Sequence, residues 1–239
     1  MKIRGERECT KCGTRWSYYE TGSVACPAGG SLHSVGTDDP TEHTDLETPF
    51  DLTAVRNEVD ERTTADLASR AREESKEYVR RRGFVRGGTL VPLDDTYLAA
   101  TELMHVADAV TRALSLTEDE ELYFLSLLRD ADHGERPPAE DVPQRLRETR
   151  GLAAADAVRE YRRDVRTWIE DRELTAEERS ALALLGEHVT RIRMLDGDVA
   201  PRTADTLVEA TRDLSSALTA DDEIALSRAM DRLERLSSE

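Results

Sequence analysis

Chemistry in this chain concentrates at three cysteines: Cys9-Thr10-Lys11-Cys12-Gly13 near the start, and Cys26-Pro27-Ala28-Gly29-Gly30-Ser31 thirteen residues later. Thiolates are metal ligands, and a Cys-x-x-Cys loop turns two of them onto one face of a tetrahedron. The intervening stretch from Arg15 to Val24, with Trp16, Tyr18 and Tyr19 before Gly22, predicts two strands around a turn. An odd cysteine count fits metal ligation in a reducing compartment better than a disulfide framework.

On these knuckles and the Cys-Pro step, residues 6–36 resemble a zinc ribbon of the transcription-factor-B or rubredoxin-like kind. The second knuckle of such ribbons reads Cys-Pro-x-Cys-Gly-Ser, and here Gly29 stands at the place of the fourth cysteine. The resemblance implies that Cys9, Cys12 and Cys26 hold one zinc ion, with His33, His43 or water as the fourth ligand. His33 lies four residues past Gly29, so the outgoing strand must curl back for its ring to reach the metal. A second reading stays open, in which packing of Trp16, Tyr18 and Tyr19 keeps the hairpin after metal affinity has been lost. The whole chain also resembles a halophilic archaeal family of unknown function, which brings no activity with it.

Two further spacings bear on metals. Glu102-x-x-His105 and Asp130-x-x-His133 each set a carboxylate and a histidine on one helix face, as in ferritin-like di-iron bundles. A bundle beside a rubredoxin-like module resembles the rubrerythrins on that account. With acids at 50 of 239 positions, such pairs also arise by chance, and His133 before Gly134 equally suits a helix C-terminus.

Arginine forms the other candidate surface. Arg159, Arg162, Arg163 and Arg166 fall on one arc of a helix beside Val158, Tyr161, Val165 and Trp168, where they can grip phosphate, an acidic partner or neighbouring acidic helices. Arg80 to Arg82 with Arg86 sit where cations complement a helix end. No phosphate-binding glycine loop or serine-nucleophile motif occurs, so no catalytic or cofactor-binding residue is assigned.

Composition sets the background. The net charge is -17, and of 33 basic residues only Lys2, Lys11 and Lys76 are lysine. That balance looks like a cytoplasmic protein of a high-salt organism, because in molar salt the Debye length shrinks to about 3 Å and dense carboxylates repel one another little. Neither an apolar leader nor a run of membrane-spanning length is visible.

These residues require a mainly α fold: a small N-terminal β-hairpin module (6–36), an acidic, exposed linker (37–51) and an all-α bundle of about seven or eight helices (52–239). The periodicity predicts a long helix over 52–82 with Leu52, Val55 and Val59 on its apolar face, and a short hairpin around Gly87-Gly88. Next come helices capped at Asp94 or Asp95 and at Thr117, a short helix over 139–149 and a longer one over 152–172. The last three open at Thr175, Pro201 and Asp221 or Asp222. The expectation for function is a non-enzymatic adaptor or regulator meeting protein partners. A nucleic-acid-associated factor of transcription or RNA machinery is the first alternative, and a rubrerythrin-like metalloenzyme the second.

Overall fold

The computed structural model describes residues 2–46 and 48–237; positions 47, 238 and 239 of the expected linker and helical domain lie outside the described residues. The N-terminal part holds β1 (Lys2–Ile3), β2 (Glu6–Cys9), β3 (Arg15–Ser17), the one-turn helix α1 (Tyr18–Thr21), β4 (Ser34–Gly36) and β5 (Thr41–Glu42). Then come α2 (Thr53–Arg56), α3 (Thr64–Arg81), β6 (Val85–Arg86), β7 (Thr89–Leu90), α4 (Asp95–Arg112) and α5 (Glu118–Asp130). Three short 3-10 turns lead into α6 (Arg147–Trp168), α7 (Ala176–Met194), α8 (Pro201–Ala220) and α9 (Glu223–Ser237). The mainly α architecture with small N-terminal strands is the one the sequence predicts.

Helix starts follow the local chemistry closely. Thr117 with Glu120 and Thr175 with Glu178 each form the reciprocal capping box, satisfying backbone donors that a helix start leaves free. Asp94 accepts from the Tyr97 N–H at 2.6 Å, Pro201 opens α8, and Asp222 accepts from the N–H groups of Ile224 and Ala225, each at 3.0 Å. Gly87 and Gly88 have φ of 56° and 80°, the left-handed pair that a tight hairpin needs between β6 and β7.

Four expectations change in detail. The helix over 52–82 breaks after α2, because residues 57–62 offer little to bury besides Val59, and the Thr63 hydroxyl accepts from the Asp66 N–H to start α3 afresh. Leu52 and Val55 are buried as expected, whereas Val59 is exposed. The helix over 139–149 gives way to turns at Ala139–Asp141 and Gln144–Leu146, with Pro143 lacking the N–H a helix interior requires, and its last three residues form the start of α6. Between Arg15 and Val24 only the first strand forms: α1 and Gly22, at φ 61°, turn the chain out of the sheet, and β2 lies between β3 and β4 instead.

Two apolar cores flank α4. Leu52, Val55, Leu67, Leu103, Phe124 and Leu127 fill the one between α2 and α5, while Phe84, Tyr97, Tyr161, Leu185, Leu207 and Leu233 fill the one centred on α6. Helix α6 packs against α4, α7 and α8. Its approach to the loop after α7 depends on Gly151, where a Cβ would overlap the carbonyl oxygen of Gly197.

Residues 37–51, expected as an exposed acidic linker, are bound to the helices. Strand β5 pairs antiparallel with β1, and Thr44 N–H donates to the Val85 carbonyl at 2.9 Å. His43 and Asp45 are buried. The Asp45 carboxylate takes the guanidinium groups of Arg82 (3.1 Å) and Arg86 (2.7 Å), and Asp164 on α6 accepts from the Thr44 hydroxyl at 2.6 Å and the Phe84 N–H at 2.8 Å. Buried carboxylates persist only with such partners, so Asp45, which suggests solvent from sequence, is an anchor in the fold.

Gly151→Ala is expected to cost about 2 kcal/mol through overpacking and to lower the melting temperature by about 4–8 °C in a calorimetric scan. Gly29→Ala, whose added methyl group meets open space, should leave the melting temperature unchanged. Burial lowers the imidazoles of His43 and His188 below the ordinary value of 6.5. Each binds its proton more readily unfolded than folded, so the stability present above 6.5 is lost as pH falls below it. Denaturant titrations at pH 7.5 and pH 5.5 should show a lower midpoint in acid, and His188→Gln should narrow the gap.

Candidate metal centre

The three-stranded sheet brings the cysteines together. Cys9 ends β2, and a tight loop returns through Gly13, whose N–H donates to the Cys9 carbonyl at 2.9 Å, so Cys12 comes back beside it. The second knuckle folds alike: Gly30 N–H donates to the Cys26 carbonyl at 2.7 Å, and Cys26 N–H to the Ser31 carbonyl at 2.9 Å. Strand β4 then pairs Ser34 with Cys9, fixing the two knuckles against each other.

The sulfur atoms of Cys9, Cys12 and Cys26 all lie within 4.8 Å of one another, and Cys12 Sγ is 3.6 Å from Cys26 Sγ. Cys9 and Cys26 are buried with Trp16, while Cys12 faces solvent. The Cys12 thiol is pulled down to about 7, first by the hydroxyl and backbone of Thr14 and then by Cys9 and Cys26, so it ionises near neutral pH. Thr14 Oγ1 is 3.2 Å from Cys12 Sγ. Thiolates at such separations are the donor set that a divalent metal takes, and the residues fit a metal ion.

The fourth donor is not found among the expected histidines. His33 is exposed and does not join the cluster of ligand atoms, and its carbonyl instead accepts from Thr10. His43 lies against Tyr19, 4.8 Å between ring centroids with the planes tilted by 43°, and its Nδ1 accepts from the Gly87 N–H at 3.3 Å. A methyl group built on Gly29 would meet nothing within 4 Å. The centre is therefore a three-thiolate set, open on the side where Cys12 and Gly29 face solvent.

The Glu-x-x-His pairs do not converge. Both Glu102 oxygens are engaged: Arg136 donates to one at 2.7 Å, while Tyr123 and Arg150 share the other. His105 lies 3.2 Å from Asp156 on α6, and His133 is exposed beside Asp132. Glu102 instead belongs to a buried polar network that no spacing announces. In it, Arg150 bridges Glu102, the Pro137 carbonyl and Asp205 on α8. Burial opposes the Arg150 charge, but Glu102, Tyr123 and Asp205 outweigh it and raise its basicity.

The arginine stripe of α6 splits in two. Arg159 pairs with Asp156 and Glu160, and Arg163 with Glu160 and Asp164, so both are held within the helix that carries them. Arg162 and Arg166 point the other way, into a groove against α7 that also receives Arg191. Arg191 could have been suspected only as one more basic residue flanking the apolar repeat of its helix. Arg80 and Arg81 pair with Glu77, and Arg82 with Asp45 and Asp94.

No helix among the described residues is long and apolar enough to cross a membrane. Residues 1–233 match the model of a family of unknown function, DUF7117. No curated protein and no solved structure matches the chain.

Exposure separates the three thiols. With metal removed by a chelator, Cys12 should be alkylated by iodoacetamide well before Cys9 and Cys26, as read by peptide mass spectrometry after short exposure at neutral pH. Equal labelling of all three would contradict the burial of the other two.

Proposed function

We propose, for a chain that belongs to the family of unknown function DUF7117, that it is a non-enzymatic interaction protein whose cysteine module is shaped by one zinc ion. The observation that carries this reading is the convergence of three sulfur atoms within 4.8 Å, on a sheet too small to fold by its own apolar burial. Zinc suits it because thiolates at tetrahedral spacing are its usual structural ligands. Cys9, Cys12 and Cys26 would hold the ion and water would complete the set. Bound there, the metal supplies cross-linking of the two knuckles.

Surface chemistry supports the interaction part of the reading. Val24, Leu32 and Val35 are exposed around the second knuckle. A metal-braced loop that holds such residues outward is suited to meeting a protein surface. The nucleic-acid alternative draws less support, because Arg159 and Arg163 are already engaged by carboxylates of their own helix.

Elemental analysis of the full chain purified without chelator is the test. One zinc ion per chain is expected, falling to none in Cys9→Ser or Cys26→Ser. Gly29→Cys, which places a thiol where space is open, should tighten zinc by about tenfold or more in competition with a chromogenic chelator. A zinc-free protein, or two iron ions per chain, would overturn the reading.

A further inference from the structure

The groove between α6 and α7 gathers three arginines that make no ion pair among the described residues. Arg162 and Arg166 from α6 and Arg191 from α7 line an open space of about 700 Å³, together with Ala183, Met194 and Leu195. None of the three arginines makes an ion pair among the described residues, although the chain has 50 acidic residues for 33 basic ones. The Nε atoms of Arg162 and Arg191 are buried and have no hydrogen-bond partner. Glu187 is the one acidic residue on the lining.

Unpaired guanidinium groups that share a groove repel one another and keep donors unsatisfied. Burial, then the neighbouring Arg166, make Arg162 harder to protonate than an ordinary arginine. Arg162 is held there by design of the backbone: it donates to the Leu182 carbonyl at 3.1 Å and lies across Gly186, where any Cβ would overlap its guanidinium. An anion between Arg162, Arg166 and Arg191 would relieve the repulsion, and charge-assisted bonds of this kind are the strong ones.

The rest of the lining narrows the class of anion. Met194 and Leu195 are exposed at the end of α7, 80 % and 50 % accessible, so the charged part of the groove continues into an apolar part. From Ala183 to Leu195 the groove runs about 18 Å along the helix, room for roughly five or six extended residues of a peptide. The lining has no aromatic ring on which a base could stack. We infer that the groove of Arg162, Arg166 and Arg191 binds a short acidic peptide segment of a partner protein, its carboxylates on the arginines and a neighbouring aliphatic residue on Met194 and Leu195.

A display library of peptides about ten residues long, selected against the full chain, tests this directly. Selected peptides should combine Asp or Glu with Leu, Met or Val. The tightest should lose at least about tenfold in affinity, 1.4 kcal/mol, against the Arg166→Ala, Arg191→Ala double variant, and a similar factor against Met194→Asp. Arg159→Ala should leave binding unchanged, and so should a chelator, which separates this site from the cysteine centre. Matching melting temperatures of the variants show that the fold is retained. The inference is overturned if no peptide is selected, if selected peptides lack acids, if the substitutions leave affinity unaltered, or if a single-stranded RNA of equal length binds more tightly than the peptide.

Discussion

The buried carboxylate of Asp164, with that of Asp45 beside it in the same seam, ties the two halves of this protein together. It sits on α6, accepts from the Thr44 hydroxyl and the Phe84 N–H, and is 2 % exposed. A charge so far from water is tolerated only with donors aimed at it, so the segment carrying Thr44 and the chain entering the β6–β7 hairpin are held where they are. From that point the order of the molecule spreads outward. Val85 receives the backbone of residue 44, the Trp168 indole donates to the Gly88 carbonyl at 3.0 Å, and Tyr19 packs on Gly87. The cysteine sheet is seated on the helices through those contacts.

Helix α6 carries the other polar anchor as well. One and a half dozen residues before its end, Arg150 gathers Glu102, Tyr123 and Asp205 from three neighbouring elements, and burial with the nearby Glu102 carboxylate keeps the Tyr123 phenol protonated as a donor. Apolar faces of Ala, Val and Tyr fill the space between the two anchors. The same helix thus fixes the position of every other long helix it touches, and the groove against α7 inherits its shape from that rigidity.

Much of this was legible in the residues, for reasons that can be named. Capping boxes at Thr117 and Thr175 and the proline at 201 act through neighbours in the chain, so they read true without knowledge of the fold. The three cysteines were legible for the same reason, since Cys-x-x-Cys geometry is local. What could not be read depends on contacts distant in sequence. Asp45 looks like linker until Arg82 and Arg86 meet it, and Glu102 looks like a metal ligand until Arg136 and Arg150 occupy it. The arginine stripe is continuous as a helical arc, yet Arg159 and Arg163 turn to acids on α6 while Arg162 and Arg166 reach toward α7, a division decided by which helix lies alongside.

The seating of the cysteine sheet has a consequence for how such a chain can be inherited. Residues 6–36 look like an interchangeable unit, but β1 and β5 flank them as a pair, and the Gly88 N–H donates to the Glu42 carbonyl at 2.8 Å. Recombination that exchanged the knuckles alone would leave β1, β5 and the hairpin tip without the surface they were shaped against. The smallest portable block therefore includes the β6–β7 hairpin, so descent should move the two parts as one gene segment rather than as beads on a string.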